Sequence, residues 1–225
     1  MRLPLFAQRK VWLPTWFGAA CLVVIVGGLG GLWWCEAEPF LSKTERLPAE
    51  VLVVEGWIDG TGIQSAVMEF RTGGYQVIVS AGGLTGKPWD EKRWDYSQEG
   101  EEQMLRLRIP RDQVIRATTR NKESQRTFEM AAAAWRALQA RGIHPTAINV
   151  YTRSSHARRS RLVFAKVFGP DTAVGVIAWM PPGYQSESWW DSSERADDVI
   201  KETVGYLFEL LLNSGRRSNS PALPK

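Results

Sequence analysis

The chain has 225 residues, enough for one domain of ordinary size and an appendage. Hydrophobic residues make up 44% and charged residues 23%, which excludes a disordered chain. The formal net charge is +4, carried in short clusters without a long basic helix or basic-aromatic repeat, so local anion sites are expected and a nucleic-acid-binding face is not.

The first element is an uncharged run from Leu13 to Cys35. A helix of about 20 such residues crosses the hydrocarbon core of a bilayer. Trp12 and Trp16 stand at one end, Trp33 and Trp34 at the other, as membrane interfaces favour. Arg2, Arg9 and Lys10 precede the run, and Glu36 and Glu38 follow it. The positive-inside bias then puts residues 1–12 in the cytoplasm and the rest outside it. A cleaved signal peptide is the alternative, with small residues at Cys35 and Ala37, but the apolar run is long for one and Trp33 and Trp34 crowd the site; a buried core helix is disfavoured because nothing polar interrupts the run. Gly27 and Gly31 have a spacing that can pack two helices, or are simply tolerated glycines. Cys21 and Cys35 lie too far apart along a helix to bridge, so no internal disulfide is expected. With two histidines and no Cys-x-x-Cys, no metal site is expected either.

Residues 36–50 are polar, hold two prolines and have no period, and read as a linker. Short apolar runs follow at 51–55, 76–80, 113–117, 147–152 and 174–178, several of them nearly continuous, as buried parallel strands are. Helical patterns fill the gaps. One is capped through Thr61 and Gln64 and stopped at Gly73; the others cover 97–108, 122–142, 157–169 and 193–212. In the last, Ile200, Val204, Leu207 and Leu211 share a face expected to pack inward. Residues 213–225 have the composition of a disordered tail. The fold class is therefore α/β: a Rossmann-like sheet of about five mainly parallel strands, helices on both faces, over residues 51–212, preceded by one transmembrane helix.

In such sheets ligands bind beyond the carboxyl ends of the strands, which selects the loops to examine. The loop after the first strand holds Glu55. The second holds Ser80, Gly82 and Gly83, where glycines let backbone N–H groups approach a ligand, although glycine after a strand is common. The spacing is not the dinucleotide fingerprint, and no cofactor is expected from it. The third places Ser124, Arg126, Thr127 and Glu129 at a helix start; Ser124 as a plain N-cap and an Arg126–Glu129 surface pair are the simpler alternatives. The fourth, "TRSSHARR", carries Thr152, Arg153, Ser155, His156, Arg158 and Arg159. A helix start with arginines around it suits a phosphate or pyrophosphate. A histidine among them can accept a proton or orient a hydroxyl. The alternative is a solvated helix face with a satisfied histidine. Trp57, Trp89, Trp94, Trp189 and Trp190 fall in loops at the same edge, where they either pack loops down or line a mouth for a sugar or lipid headgroup.

The motifs in order are "VLVVEGW", "VIVSAGG", "SQEGEEQMLRLRIPRDQVI", "SQRTFEMA" and "VYTRSSHARRS". Together they resemble the SanA/ElyC/YdcF family over roughly residues 50–212. Arg126 and Met130 stand where that family often has asparagine, and Glu55-Gly56-Trp57 replaces a glycine-rich turn, which marks a subgroup with "VEGW" and a closing "WW-x-SSE" element. The resemblance implies a bacterial inner-membrane protein, single-pass, with its domain on the extracytoplasmic side. It implies a role in envelope integrity and cell-wall biogenesis involving the lipid carrier. The expectation is an envelope protein binding a phosphorylated lipid-linked or sugar-linked molecule, with His156, Glu129 and Glu55 as acid/base candidates. Ser80, Gly82, Gly83, Ser124, Arg126, Thr127, Thr152, Arg153, Ser155, Arg158 and Arg159 would bind the anion. The alternatives are a non-catalytic scaffold or regulator that meets cell-wall synthesis proteins, and an S-adenosylmethionine-binding protein.

Overall fold

The computed structural model describes residues 13–84, 94–119, 125–184 and 188–212. The chain divides into two compact units, Met1–Ala37 and Glu38–Lys225. The first is built on α1 (Trp16–Leu41), a helix long and apolar enough to cross a membrane. The helix does not stop at Cys35. It runs through Pro39 to Leu41, so its last turn belongs to the second unit.

The second unit is an α/β domain. Five parallel strands, β1 (Val51–Glu55), β2 (Val77–Gly82), β3 (Val114–Thr118), β4 (Ala147–Arg153) and β5 (Ala173–Trp179), lie in the order β3-β2-β1-β4-β5. The connecting helices are α2 (Gly60–Thr72), α3 (Tyr96–Arg106), α4 (Arg126–Ala140) and α5 (Ala157–Phe168). Alternation along β1 explains the layers. Val51 and Val53 join a core with α4 and α5, while Leu52 and Val54 join a core with α2 and α3. Along β1, β2 and β4 neither face of the sheet meets water, which is why these strands read as nearly unbroken apolar runs, whereas the edge strand β3 exposes Arg116 and Thr118.

The stretch read as a linker is tied to this domain. Glu45 pairs antiparallel with Val176. Buried Asn149 holds Leu47 at both backbone groups, accepting from its N–H at 3.0 Å and donating to its carbonyl at 2.7 Å. At α2 the cap is Asp59, not Thr61: its carboxylate accepts from the N–H groups of Thr61 and Gly62, both at 2.9 Å. The left-handed residue that ends the helix is Gly74, φ +76°, one position past Gly73.

The last helix, α6 (Ser193–Leu211), departs most from expectation. Its buried residues are Arg195, Val199 and Glu209, whereas Ile200, Val204, Leu207 and Leu211 face outward. The inward face is charged because it meets charged groups. Arg195 clamps Glu38, donating from Nη2 to Oε1 at 2.8 Å and Oε2 at 2.6 Å. Glu209 pairs with Lys166 at 3.3 Å. Tyr206 packs edge-on against Phe40, ring centroids 5.7 Å apart.

Candidate functional site

In the order β3-β2-β1-β4-β5 the connections diverge between β1 and β4, the switch point beyond whose strand ends sheets of this kind bind ligands. The register pairs Val54 with Tyr151, so Glu55 and Thr152 follow side by side. Glu55 is fully buried. A buried carboxylate needs partners, and it has three donors: Thr152 Oγ1 at 2.6 Å, Ser160 Oγ at 2.7 Å and Trp57 Nε1 at 3.0 Å.

His156 ends a short 3-10 turn, Ser154–His156, that leads into α5. Ser154 opens the turn at φ +43°. Gln125, the residue ahead of α4, has φ +59°. Backbone held in the left-handed region without glycine costs free energy, and here it occurs at two loops flanking one histidine. Neither Ser154 nor Ser155 caps α5 through its side chain; both are buried under the turn.

The imidazole is contacted on every side. Nδ1 lies 2.8 Å from Glu202 Oε1, and Nε2 lies 3.4 Å from Glu55 Oε2 and 3.5 Å from Thr127 Oγ1. Trp57 packs edge-on against the ring at 5.1 Å. One turn along α5, Arg159 grips Glu202 with two donors, Nε to Oε2 at 2.5 Å and Nη2 to Oε1 at 2.9 Å. Its Nη1 donates to Thr127 Oγ1 at 3.1 Å. Gly205 makes this possible, because a Cβ there would sit 2.9 Å from Arg159 Cδ. Burial pushes the Glu202 carboxyl up, but the His156 charge and the Arg159 hydrogen bonds outweigh it and hold it down at about 2. Burial works against the Arg159 guanidinium too, and the Glu202 bond and charge, with the Glu55 charge behind them, leave it raised.

This geometry defines two ends of the histidine. Nδ1 faces the Glu202 carboxylate at 2.8 Å and the Arg159 Nη2 donor at 3.0 Å, so its role follows the tautomer: with the proton on Nδ1 it donates to Glu202, and Nε2 is left to accept. Nε2 faces a hydroxyl and a second carboxylate. Such a carboxylate-oriented imidazole is suited to taking a proton from water or a substrate hydroxyl and returning it to a leaving group.

Glu55, Thr127, Thr152, His156 and Arg159 thus meet in one cluster. The other arginines of the fourth loop do not join them. Arg153 donates to Tyr184 Oη and lies over that ring. Arg158 donates to the Phe40 carbonyl at 2.7 Å, and its guanidinium stands 3.9 Å from the Phe40 ring centroid. Arg126 is exposed at the first residue of α4. Glu129 is buried two residues past Thr127, about 200° around the helix, and among the described residues it makes no ion pair or hydrogen bond with His156. Ser80 donates to the Ser97 carbonyl at 2.9 Å. At Gly82 a Cβ would come 2.7 Å from the Ser97 nitrogen, and at Gly83 it would come 2.0 Å from Thr119 Oγ1. These glycines let α3 and Thr119 close onto the strand end. Ser124 and Trp89 lie outside the described residues.

Glu202 and Ser160 complete the cluster without having been singled out in the sequence, and Trp57, one of the tryptophans expected at this edge, packs into it. For Glu202 there was a signal: Arg195, Glu202 and Glu209 recur every seven residues, along one face of a helix whose opposite side is apolar. Comparison of the chain with family models, curated proteins and solved structures returned no match.

Proposed function

We propose that this is a membrane-anchored envelope protein whose domain lies outside the cytoplasm and acts on a phosphorylated cell-wall or lipid-carrier precursor. The observation that carries the reading is His156 held between Glu202 at Nδ1 and Glu55 at Nε2, at the strand-end switch point between β1 and β4. The reaction class is transfer or hydrolysis of a phosphoryl or glycosyl group. His156 serves as the acid/base, Glu202 orients it, and Arg159 with exposed Arg126 supplies positive charge for the phosphate. Membership of the SanA/ElyC/YdcF-like proteins is part of the same proposal. Support comes from two short motifs, "SQRTFEMA" and "YTRSSHARRS", whose Thr127, His156 and Arg159 touch although they are far apart in sequence. The test is turnover of soluble phosphodiester and diphosphate analogues by the full chain in detergent. Loss of a positioned acid/base costs about 10²- to 10⁴-fold, so His156→Ala should fall by that much. Undiminished turnover in His156→Ala refutes catalysis.

A second reading is favoured by one observation. Side-chain exposure of His156 is only 12% and both its nitrogens already have protein partners. The cluster would then be a rigid support for a scaffold or regulator of cell-wall synthesis. Full complementation of an envelope defect by the His156→Ala, Arg159→Ala double variant selects this reading.

A further inference from the structure

The outward face of α6 carries most of the exposed large apolar side chains of the described α/β domain, and no described residue covers it. Val204, Leu207, Phe208, Leu210, Leu211 and Leu212 are all 48–75% exposed. Between Thr203 and Leu212 the only charged side chain is Glu209, and it is buried against Lys166. The exposed charges of the helix, Asp197 and Lys201 among them, stay in its first turns. The outward side of these last turns therefore offers water a contiguous row of large apolar side chains, which costs free energy in a soluble monomer and marks a binding surface.

We infer that this stripe rests on the membrane surface, its side chains set into the headgroup boundary as those of an interfacial amphipathic helix. The inference rests on the reading of the N-terminal segment as a membrane anchor. What selects a bilayer over a protein partner is how α6 is attached. Its inward face is bolted to the residues that follow the apolar run: Arg195 to Glu38 and Tyr206 to Phe40. Glu38 is three residues from Cys35, the last residue of the run, so the chain can separate them by no more than about 11 Å. An anchored chain thus holds α6 beside the interface, where an apolar face meets lipid before it meets any diffusing partner. Interfacial helices have this make-up, a large apolar face with a charged face turned away from it, whatever their length. A groove of about 510 Å³ lined by Ile200, Val204 and Phe208 runs from the stripe to Arg159 and Gln125. Seated this way, α6 brings the rim of the histidine cluster to the level of the lipid headgroups.

The test uses the full chain with both cysteines replaced by serine, reconstituted in nanodiscs of phosphatidylethanolamine and phosphatidylglycerol. An environment-sensitive fluorophore is attached to one new cysteine at a time: Leu207→Cys, Leu211→Cys, Leu29→Cys in the apolar run, and Met68→Cys on exposed α2 as the aqueous reference. Lipids carrying a nitroxide near the headgroup should quench the labels at 207 and 211 severalfold, and iodide in the buffer should not. The label at 68 should do the reverse. Quenching at 29 with none at 207 and 211 overturns the seating of α6 and leaves the anchor standing. No lipid quenching at 29 overturns both. Labels at 207 that quench each other between copies, at one copy per nanodisc face or more, assign the stripe to a second copy instead. Circular dichroism of each labelled variant checks that the exposed positions left the fold intact.

Discussion

Glu202→Gln keeps the shape of the side chain and removes its charge. The carboxyl is 12% exposed, held at about 2 against an ordinary 4.5. A folded value below the unfolded one stabilises the fold at pH above the unfolded value and loses that contribution as pH falls toward the folded value. The gap corresponds to about 3 kcal/mol at neutral pH, of which about 2 kcal/mol is gone by pH 3. Other carboxylates titrate over the same range, including Asp59, which its own helix cap depresses. The diagnostic quantity is therefore the difference between wild type and variant. Urea denaturation of the full chain in detergent, followed by circular dichroism, should give a difference about 2 kcal/mol larger at pH 7 than at pH 3. A difference that is the same at both pH values, or larger at pH 3, refutes the reasoning. Repeating the pair in an Arg159→Gln background should shrink the pH-dependent part, because the Arg159 hydrogen bonds and charge, which act after the His156 charge in holding the carboxyl down, are gone.

Gly205→Ala puts a Cβ 2.9 Å from Arg159 Cδ, a side chain already fixed by its bonds to Glu202 and Thr127; it should destabilise by about 1–3 kcal/mol in the same denaturation assay and flatten the pH dependence that Glu202 supplies. Gly56→Ala meets the Tyr96 carbonyl oxygen at 2.4 Å, a backbone atom that cannot step aside, and should also cost about 1–3 kcal/mol, read from the urea midpoint. Arg195→Met leaves Glu38 without its bidentate partner in a largely buried site and should cost about 3–5 kcal/mol, while the Glu38→Leu, Arg195→Met double variant should recover most of that. Asn149→Ala strands the backbone groups of Leu47 and takes one donor from the Tyr75 hydroxyl, which keeps its bond to Glu69, and should cost about 1–3 kcal/mol, with protease cleavage near residues 42–50 appearing before global unfolding.

Where one physical signal dominated, the fold was legible. The continuous apolar runs around Val51–Glu55, Ala147–Arg153 and Ala173–Trp179 belong to strands buried on both faces, and no competing pattern fits them. Gly142, at φ +69°, stands at the close of α4 as its position suggested. Errors came where local chemistry offered two candidates. Thr61 and Asp59 both suit a helix cap, and only the backbone angle at Asp59, φ −65° and ψ 173°, decides between them. Residues 42–50 lack a period because they pair with β5 through a single bridge at Glu45 and with Asn149 through a side chain, interactions that leave no repeat in the sequence.

The site was half legible for a related reason. Rules of sheet topology named the edge, and that was enough to find Glu55, Thr127, Thr152, His156 and Arg159. What the rules could not say was which way each side chain turns. Arg158 and Arg159 are neighbours, yet a step of 100° along α5 sends one to Phe40 and Glu45 and the other to Glu202. Helix α6 inverts the usual inference altogether. An apolar stripe normally faces the core, but Arg195, Glu202 and Glu209 each have a charged partner waiting inside, in Glu38, Arg159 and Lys166. A charge buried without a partner costs far more than an apolar side chain left in water, so the three ion pairs decide the orientation and the leucines go outward. The same choice that gives His156 its carboxylate gives the domain its apolar surface. Reversing α6 would remove both at once.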